Sequence, residues 1–314
     1  MSVLDEAQRL ARAGRRADAV ALVEREAADG DAEASFALAN WRLYGLGVAR
    51  DAAAAHPLLA RAAEAGHGEA ARLLAALTAN GTGAPADPER ARAMIAALAP
   101  SDPLARRQLD LLDAMRPPGL AAETLSDDPP IRLVRALFSL DECAYLIDVA
   151  GPALRPSVIV DPTTGRPKPD PVRTSDGMNF GPGQEDPVVH ALNRRIAEAT
   201  GTAVTCGEPL HVLRYVPGQE YKPHLDALPG TANQRRWTVL VYLNEGYRGG
   251  ETRFDELGLC AKGDPGDALV FRNVLDDGRG DPRTRHAGLP VEQGVKWLAT
   301  RWIRERPYDP FAPA

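Results

Sequence analysis

Leu210-His-Val-Leu-Arg-Tyr-Val-Pro-Gly-Gln-Glu-Tyr-Lys-Pro-His-Leu-Asp226 is the stretch on which the reading of this chain turns. Leu210 to Val216 reads as a strand, Pro217-Gly218-Gln219 turns the chain, and Glu220 to Asp226 follows as a second extended run. On extended backbone, residues two apart project from one face, so His224 and Asp226 can offer an imidazole and a carboxylate to one edge of a metal ion. Taken alone, the pair fits ordinary turn hydrogen bonding better than metal binding.

The sequence downstream changes that weight. Sixty residues after Asp226 comes Arg283-Thr-Arg-His286-Ala-Gly288, and ten after His286 comes Lys296, in Gly294-Val-Lys-Trp-Leu-Ala-Thr-Arg-Trp-Ile303. Two histidines and one carboxylate on three corners of an octahedron leave three positions open, the arrangement associated with non-haem Fe(II) oxygenases. Two open positions suit a 2-oxo acid and the third suits O2. The far carboxylate of 2-oxoglutarate then needs a cation at the back of the pocket, which Lys296 can supply. Alternation along the last strand puts Lys296 and Trp302 on the same face. Without His286 upstream, Lys296 would read as a solvated surface lysine.

Upstream, Ile131 to Phe138 reads as a strand, and Ser139 with Glu142 has capping-box spacing for a helix. A second helix is expected from about Pro187 to Thr200, opened by Glu185-Asp186 and stopped by Gly201. His56, His67, His190 and His211 lack a paired ligand at useful spacing. His211 shares a strand face with Leu213 and Tyr215 and reads as a buried, hydrogen-bonded histidine near the pocket.

Leu213 to Asp226, Thr238-Val-Leu-Val-Tyr-Leu-Asn244, Gly249-Gly-Glu-Thr252, Gly266-Asp-Ala-Leu-Val-Phe271, Arg285-His-Ala-Gly288 and Lys296-Trp-Leu-Ala-Thr-Arg-Trp302 follow one another in order. Together they resemble the catalytic domain of prolyl 4-hydroxylases, Fe(II)- and 2-oxoglutarate-dependent dioxygenases, over about residues 130–308. The resemblance implies a double-stranded β-helix (jelly roll) with flanking helices. It implies His224, Asp226 and His286 as iron ligands, Lys296 as the anchor for the 2-oxoglutarate carboxylate, and Tyr215 as a hydrogen-bond partner of the cosubstrate. Tyr242, on the strand face of Thr238, is expected to assist. Tyr221, Arg235 and Trp302 match the substrate side, and Arg173-Thr-Ser-Asp-Gly-Met178 matches a loop over the site. The cofactors implied are Fe(II), 2-oxoglutarate and O2, with ascorbate as an accessory, and the products are a hydroxylated substrate, succinate and CO2.

The N-terminal half has a different grammar. Residues 1–115 are Ala-rich with apolar positions at helical spacing, and they repeat: Gly30-Asp-Ala-Glu-Ala34 returns as Gly66-His-Gly-Glu-Ala70, Gly45-Leu-Gly47 as Gly81-Thr-Gly83, and Asp51 as Asp87, each 36 residues on. A fixed period of this length means stacked helical hairpins. The pattern resembles Sel1-like repeats, relatives of the tetratricopeptide repeat, over residues 30–99. Pro57 falls inside an expected helix, which should therefore kink or start late. Paired prolines in Met115-Arg-Pro-Pro-Gly119 and Ser126-Asp-Asp-Pro-Pro130 mark 116–130 as a linker, leaving an α+β multidomain chain with an all-α repeat domain at 1–115 and the dioxygenase domain at 131–308.

At 314 residues, 44% hydrophobic and 25% charged, the chain suits two soluble domains. A net charge of −6 without a basic block argues against nucleic acid, no apolar run reaches membrane-spanning length, and no secretory signal opens the sequence, so the expected location is cytoplasmic. Cys143, Cys206 and Cys260 read as free thiols. The substrate implied by the resemblance is a prolyl residue in a protein or peptide; the repeats read equally as a packing appendage of the catalytic half or as a concave surface that docks a partner protein such as the substrate. A free amino acid or small peptide metabolite is the rival, favoured if the segment from Val172 to Phe180 closes the pocket. A non-catalytic repeat-based adaptor with a vestigial barrel is the alternative from another class, and the intact set of His224, Asp226, His286 and Lys296 weighs against it.

Overall fold

The computed structural model describes residues 2–117, 121–160 and 167–311. They divide into two compact units, one of residues 1–115 with 182–190 and one of residues 116–181 with 191–314. Among the described residues no helix is long and apolar enough to cross a membrane.

The first unit is built from Val3–Arg12, Arg16–Ala28, Ala32–Tyr44, Ala52–Glu64, Gly68–Asn80, Pro88–Leu98 and Pro103–Ala114, each helix packing on the next. Alanine at the crossings lets the helices approach closely: Ala34, Ala39, Ala55, Ala62 and Ala70 are fully buried, with Leu38, Leu43, Leu59 and Leu77 filling the gaps. The 36-residue period is a period of caps. Asp31 and His67 accept from the amides of Ala34 (2.7 Å) and Ala70 (3.2 Å), and Asp51 and Asp87 from those of Ala54 (3.0 Å) and Arg90 (2.9 Å). At the other ends Gly45 and Gly81 take left-handed φ of 71° and 79°, the conformation that closes a helix and that a side chain resists. Pro57 departs from expectation, because its helix begins on time at Ala52 under the Asp51 cap and runs through the proline. Burial of Ala55, Leu58, Leu59 and Ala62 offsets the missing hydrogen bond, which costs about 3 kcal/mol in an isolated helix. Residues 182–190 complete the unit, with Asn80 Nδ2 donating to the carbonyls of Pro182 (2.8 Å) and Glu185 (3.2 Å).

The second unit is an antiparallel jelly roll. Its larger sheet runs, in spatial order, Ala122–Asp127, Pro130–Val134, Ala268–Arg272, Arg235–Tyr242, Lys296–Arg304, Leu210–Tyr215, Asp176–Phe180 and Arg155–Pro156. The smaller runs Leu259–Ala261, Thr252–Phe254, His286–Gly288 and Tyr221–His224. Ile131, Leu133, Leu240, Tyr242, Leu269, Phe271 and Leu298 of the first meet Phe254 and Ala261 of the second in one core between the sheets. Burying each large apolar side chain there is worth roughly 1.5–3 kcal/mol. Helix Leu140–Ala150 begins at the expected capping box, and its Glu142 also forms a buried, bidentate pair with Arg195 (2.6 and 3.0 Å) of helix Pro187–Thr200.

The linker expectation needs correction. Pro118 to Leu120 lie outside the described residues, but Ala122–Asp127 is a strand that pairs with Pro130–Val134 at the edge of the larger sheet. Paired prolines forbid helix and leave extended chain, and an edge position accepts a residue without an N–H.

Candidate active site

The smaller sheet assembles the site. Pairing of His286–Gly288 with Tyr221–His224 sets His286 opposite His224, joining two motifs far apart in sequence. Asp226 lies just beyond the strand, in a bend rather than on the extended backbone expected, and the bend turns its carboxylate toward both rings. His224 Nε2 is 3.5 Å from Asp226 Oδ1 and His286 Nε2 is 3.7 Å from Asp226 Oδ2. All three donor atoms lie within 4.8 Å of one another, a group that could hold a metal ion.

Both imidazoles are held in the tautomer a metal requires. His224 Nδ1 is 2.8 Å from the Lys222 carbonyl and His286 Nδ1 is 3.0 Å from that of Thr284. A carbonyl only accepts, so each Nδ1 carries the proton and each Nε2 keeps its lone pair. Burial pushes His286 down to about 4, against a partial opposing pull from Asp226, so its ring is neutral at ordinary pH. Burial also opposes charge on Asp226, but the neighbouring His224 and His286 and the Thr238 hydroxyl outweigh it and hold the carboxyl well below the usual range. An ionised carboxylate beside neutral imidazole is the protonation state a divalent cation takes.

Packing fixes the ligand directions. Tyr221 stacks on the His224 ring at 3.6 Å, and Phe254 and Phe271 hold His286 at 5.5 and 4.8 Å between ring centroids. Thr238 Oγ1 donates to Asp226 Oδ2 at 2.6 Å and accepts from Asn273 Nδ2 at 2.8 Å, both residues being fully buried. Asn273 was not singled out from sequence, since an asparagine just past a strand belongs to no spacing pattern.

A cavity between the sheets leads from this triad to Lys296, walled by Leu213, Tyr215, Leu240, Thr252, Leu298, Thr300 and Trp302, with Tyr221 and Gly288 on the triad side. Lys296 is 3% exposed, and its Nζ donates to the Gly250 carbonyl at 2.6 Å, its single hydrogen bond among the described residues. Burial pushes its ammonium down to about 8. A buried ammonium with two unengaged N–H groups facing an apolar cavity is short of an anion. Tyr215 lies opposite Lys296 in the strand register, on the same cavity wall, and burial pushes its hydroxyl up to about 12.

Other expectations fare differently. Tyr242 is not on the cavity wall: it is fully buried in the core, its hydroxyl 3.4 Å from the Ala261 carbonyl. Strand alternation gave its face correctly but not its depth. Trp302 lines the cavity with its indole N–H lacking a partner among the described residues, whereas Arg235 stands behind it, 3.9 Å over its ring and bonded twice to Glu208 (2.6 and 2.8 Å). The expected loop over the site is largely wall, because Asp176–Phe180 is a strand of the larger sheet and Arg173 bridges to Tyr221. His211 is buried, as read, but its ring makes no hydrogen bond among the described residues, and burial, then Arg173 and Arg235, push it down to about 3.

Residues 210–304 match the family model of the 2OG-Fe(II) oxygenase superfamily. The chain is 37% identical over 203 residues to prolyl 4-hydroxylase 1 of Arabidopsis thaliana, a match covering 59% of this chain and 72% of that one. It is similar to the crystal structure of a viral collagen prolyl hydroxylase from Paramecium Bursaria Chlorella virus-1 in its 2OG complex, at 30% identity and a TM-score of 0.45, covering 55% of this chain and 95% of that one. A Sel1 repeat protein from Oxalobacter formigenes is similar over 34% of this chain and 85% of its own, at 22% identity and a TM-score of 0.32.

Proposed function

Given that this chain belongs to the prolyl 4-hydroxylase family of 2OG-Fe(II) oxygenases, we propose that it hydroxylates a prolyl residue in a protein or peptide, using Fe(II) held by His224, Asp226 and His286. The observation that carries the reading is the convergence of two Nε2 lone pairs and one ionised carboxylate at one end of a cavity whose other end is a buried lysine. The donor set fits Fe(II): three protein ligands of intermediate and hard character, with Nδ1–H groups already committed to backbone carbonyls. Fe(II), when bound, supplies the activation of O2 that couples conversion of 2-oxoglutarate to succinate and CO2 with insertion of one oxygen atom into substrate.

The chain's own residues bind, orient and exclude water. Lys296 holds the distal carboxylate of 2-oxoglutarate, exchanging an under-coordinated ammonium for a charge-assisted pair in a dry site. Tyr215 offers its hydroxyl to the cosubstrate from the same wall. Leu213, Leu240 and Leu298 keep water from the cosubstrate's methylene groups. Tyr221 and Trp302 form the substrate side, and Arg235 stiffens Trp302 from behind.

The same proposal includes a helical domain at 1–115 that docks a protein substrate, a dioxygenase domain that takes in the edge strand from Ala122 and runs to about residue 308, and ascorbate as an accessory, which rests on the family alone. A cytoplasmic location accords with three free thiols, Cys143, Cys206 and Cys260. Incubating the iron-loaded protein with 2-oxoglutarate and a proline-containing peptide tests the reading: succinate should form in step with peptidyl hydroxyproline. Succinate formed in step with a hydroxylated free amino acid, and no change in any peptide, would move the substrate to the rival class.

A further inference from the structure

The loop that carries His286 is pinned from outside the site. Asn273 and Asp281 face each other where the chain doubles back, the Asp281 amide donating to the Asn273 carbonyl at 2.9 Å, with Val274 and Gly280 bridged beside them. Asp281 then opens the single turn Pro282–Thr284. Its Oδ1 accepts from the Arg283 amide at 3.0 Å, and its carbonyl accepts from both the amide (3.0 Å) and the hydroxyl (2.7 Å) of Thr284. Thr284 is buried, and its own carbonyl accepts the Nδ1 proton of His286. Whatever fixes Asp281 therefore fixes the direction of one member of the triad.

Arg283 fixes it. One edge of the guanidinium lies on the Asp281 carboxylate (Nε to Oδ1 3.0 Å, Nη2 to Oδ2 2.7 Å) and the other on Asp128 (Nη1 to Oδ2 2.9 Å, Nη2 to Oδ1 2.9 Å). Asp281 is 2% exposed, so its charge depends on this partner. Asp128 comes from far away in the chain. With Asp127 opposite Pro130, Asp128 and Pro129 form the turn of the hairpin at the edge of the larger sheet. Hydrogen bonds from Arg283 hold both carboxyls below the usual carboxylate range. An exposed ion pair alone is worth little, but this one is the outer half of a fork whose inner half is buried, so the hairpin tip restricts where the guanidinium, and through it Asp281, can sit.

We propose that Arg283 is a positioning residue for His286, locked by Asp128 at the tip of the edge hairpin, and that it keeps the Nε2 lone pair of His286 turned toward the metal site. This role rests on the metal-centre reading for its consequence in iron binding, whereas the alignment of the imidazole stands on the chain's own hydrogen bonds. Arg283 is not on the cavity wall, so it acts through Asp281 and Thr284 alone.

Nitrogen-15 shifts of the histidine rings in the metal-free full chain test this, because they report which ring nitrogen carries the proton. In the wild type His286 should be the Nδ1–H tautomer. Arg283→Gln should admit the Nε2–H tautomer at His286 and leave His224 unchanged, since the Nδ1 partner of His224 is the Lys222 carbonyl. Fe(II) affinity, read by competition with a chelator, should fall roughly ten-fold in Arg283→Gln and about two- to five-fold in Asp128→Ala. Arg283→Lys, which can meet only one carboxylate at a time, should recover part of the loss. No change at His286 in Arg283→Gln, an equal change at His224 and His286, or an Asp128→Ala protein that matches the wild type in both readouts overturns the proposal. Should Arg283→Gln fail to fold, Asp128→Ala, altered only at an exposed turn, decides by the same two measurements. A wild type that takes up no iron contradicts the hydroxylase reading, while the tautomer measurement still judges the role of Arg283.

Discussion

The two units of this molecule satisfy their polar groups over very different distances along the chain. In the helical unit the caps are local: Asp31, Asp51, His67 and Asp87 each accept from an amide three residues on. In the jelly roll the groups that matter find partners far away. Asp226 is gripped from Thr238 and His286, Lys296 reaches Gly250, and Arg135 reaches Asp267. Local satisfaction gives a modular array in which one defect costs one contact. Distant satisfaction gives a site in which removal of one member leaves several others buried and unmatched.

If that contrast holds, the largest effect should follow from Asp226. Asp226→Asn removes the only carboxylate of the triad while keeping its size, so iron per chain measured after anaerobic loading should drop to background and succinate formation should cease. Iron retained at the wild-type ratio would mean that the two histidines suffice and that the distant network matters less than argued.

Lys296→Ala comes next. The iron ligands are untouched, but a charge-assisted bond in a dry site is lost, so 2-oxoglutarate affinity should fall by roughly ten- to a hundred-fold or more at constant iron content. The wild type adds a pH signature. The lysine's ammonium is pushed down to about 8, so the charged form that binds a carboxylate prevails below that pH and is lost above it. In calorimetric titrations across this range 2-oxoglutarate should bind more weakly as pH rises through about 8, and Lys296→Ala should flatten the dependence.

A smaller effect is expected at Asn273, which touches no ligand. Asn273→Ala leaves Thr238 free to turn and Asp226 less firmly aimed, and outer-shell changes of this kind typically cost 10–100-fold in metal affinity. About ten-fold at the low end, read by competition with a chelator, is the expected result. The smallest effect belongs to the repeats: Gly81→Ala forces a side chain into φ of 79° and should cost about 1–2 kcal/mol of stability in chemical denaturation, with iron and 2-oxoglutarate binding unchanged. A loss of iron binding in that variant would break the separation between the two units.

What could be read from the sequence follows the same division. Capping residues, left-handed glycines and the helical period are local signals, and they placed the turns at Gly45 and Gly81 without knowledge of the fold. His224, Asp226, His286 and Lys296 were legible only as an ordered set of motifs, because pairing between strands, not spacing, brings them together. Asn273 carried no signal, since its role depends on a hydroxyl that another strand supplies. Tyr242 misled for a related reason: period two tells which face a residue is on, not whether core or cavity lies in front of it. The hairpin at Ala122–Asp127 was hidden because prolines report extended chain equally in linkers and edge strands.

The most direct test of the account is an anaerobic titration of Fe(II), followed by 2-oxoglutarate, into the wild type and into His286→Ala, with bound metal and bound cosubstrate read separately. The wild type should take up one iron per chain and then 2-oxoglutarate, while His286→Ala, still folded by its melting curve, should take up neither tightly. A folded His286→Ala protein that binds iron as the wild type does would contradict the assignment of this triad as the metal centre.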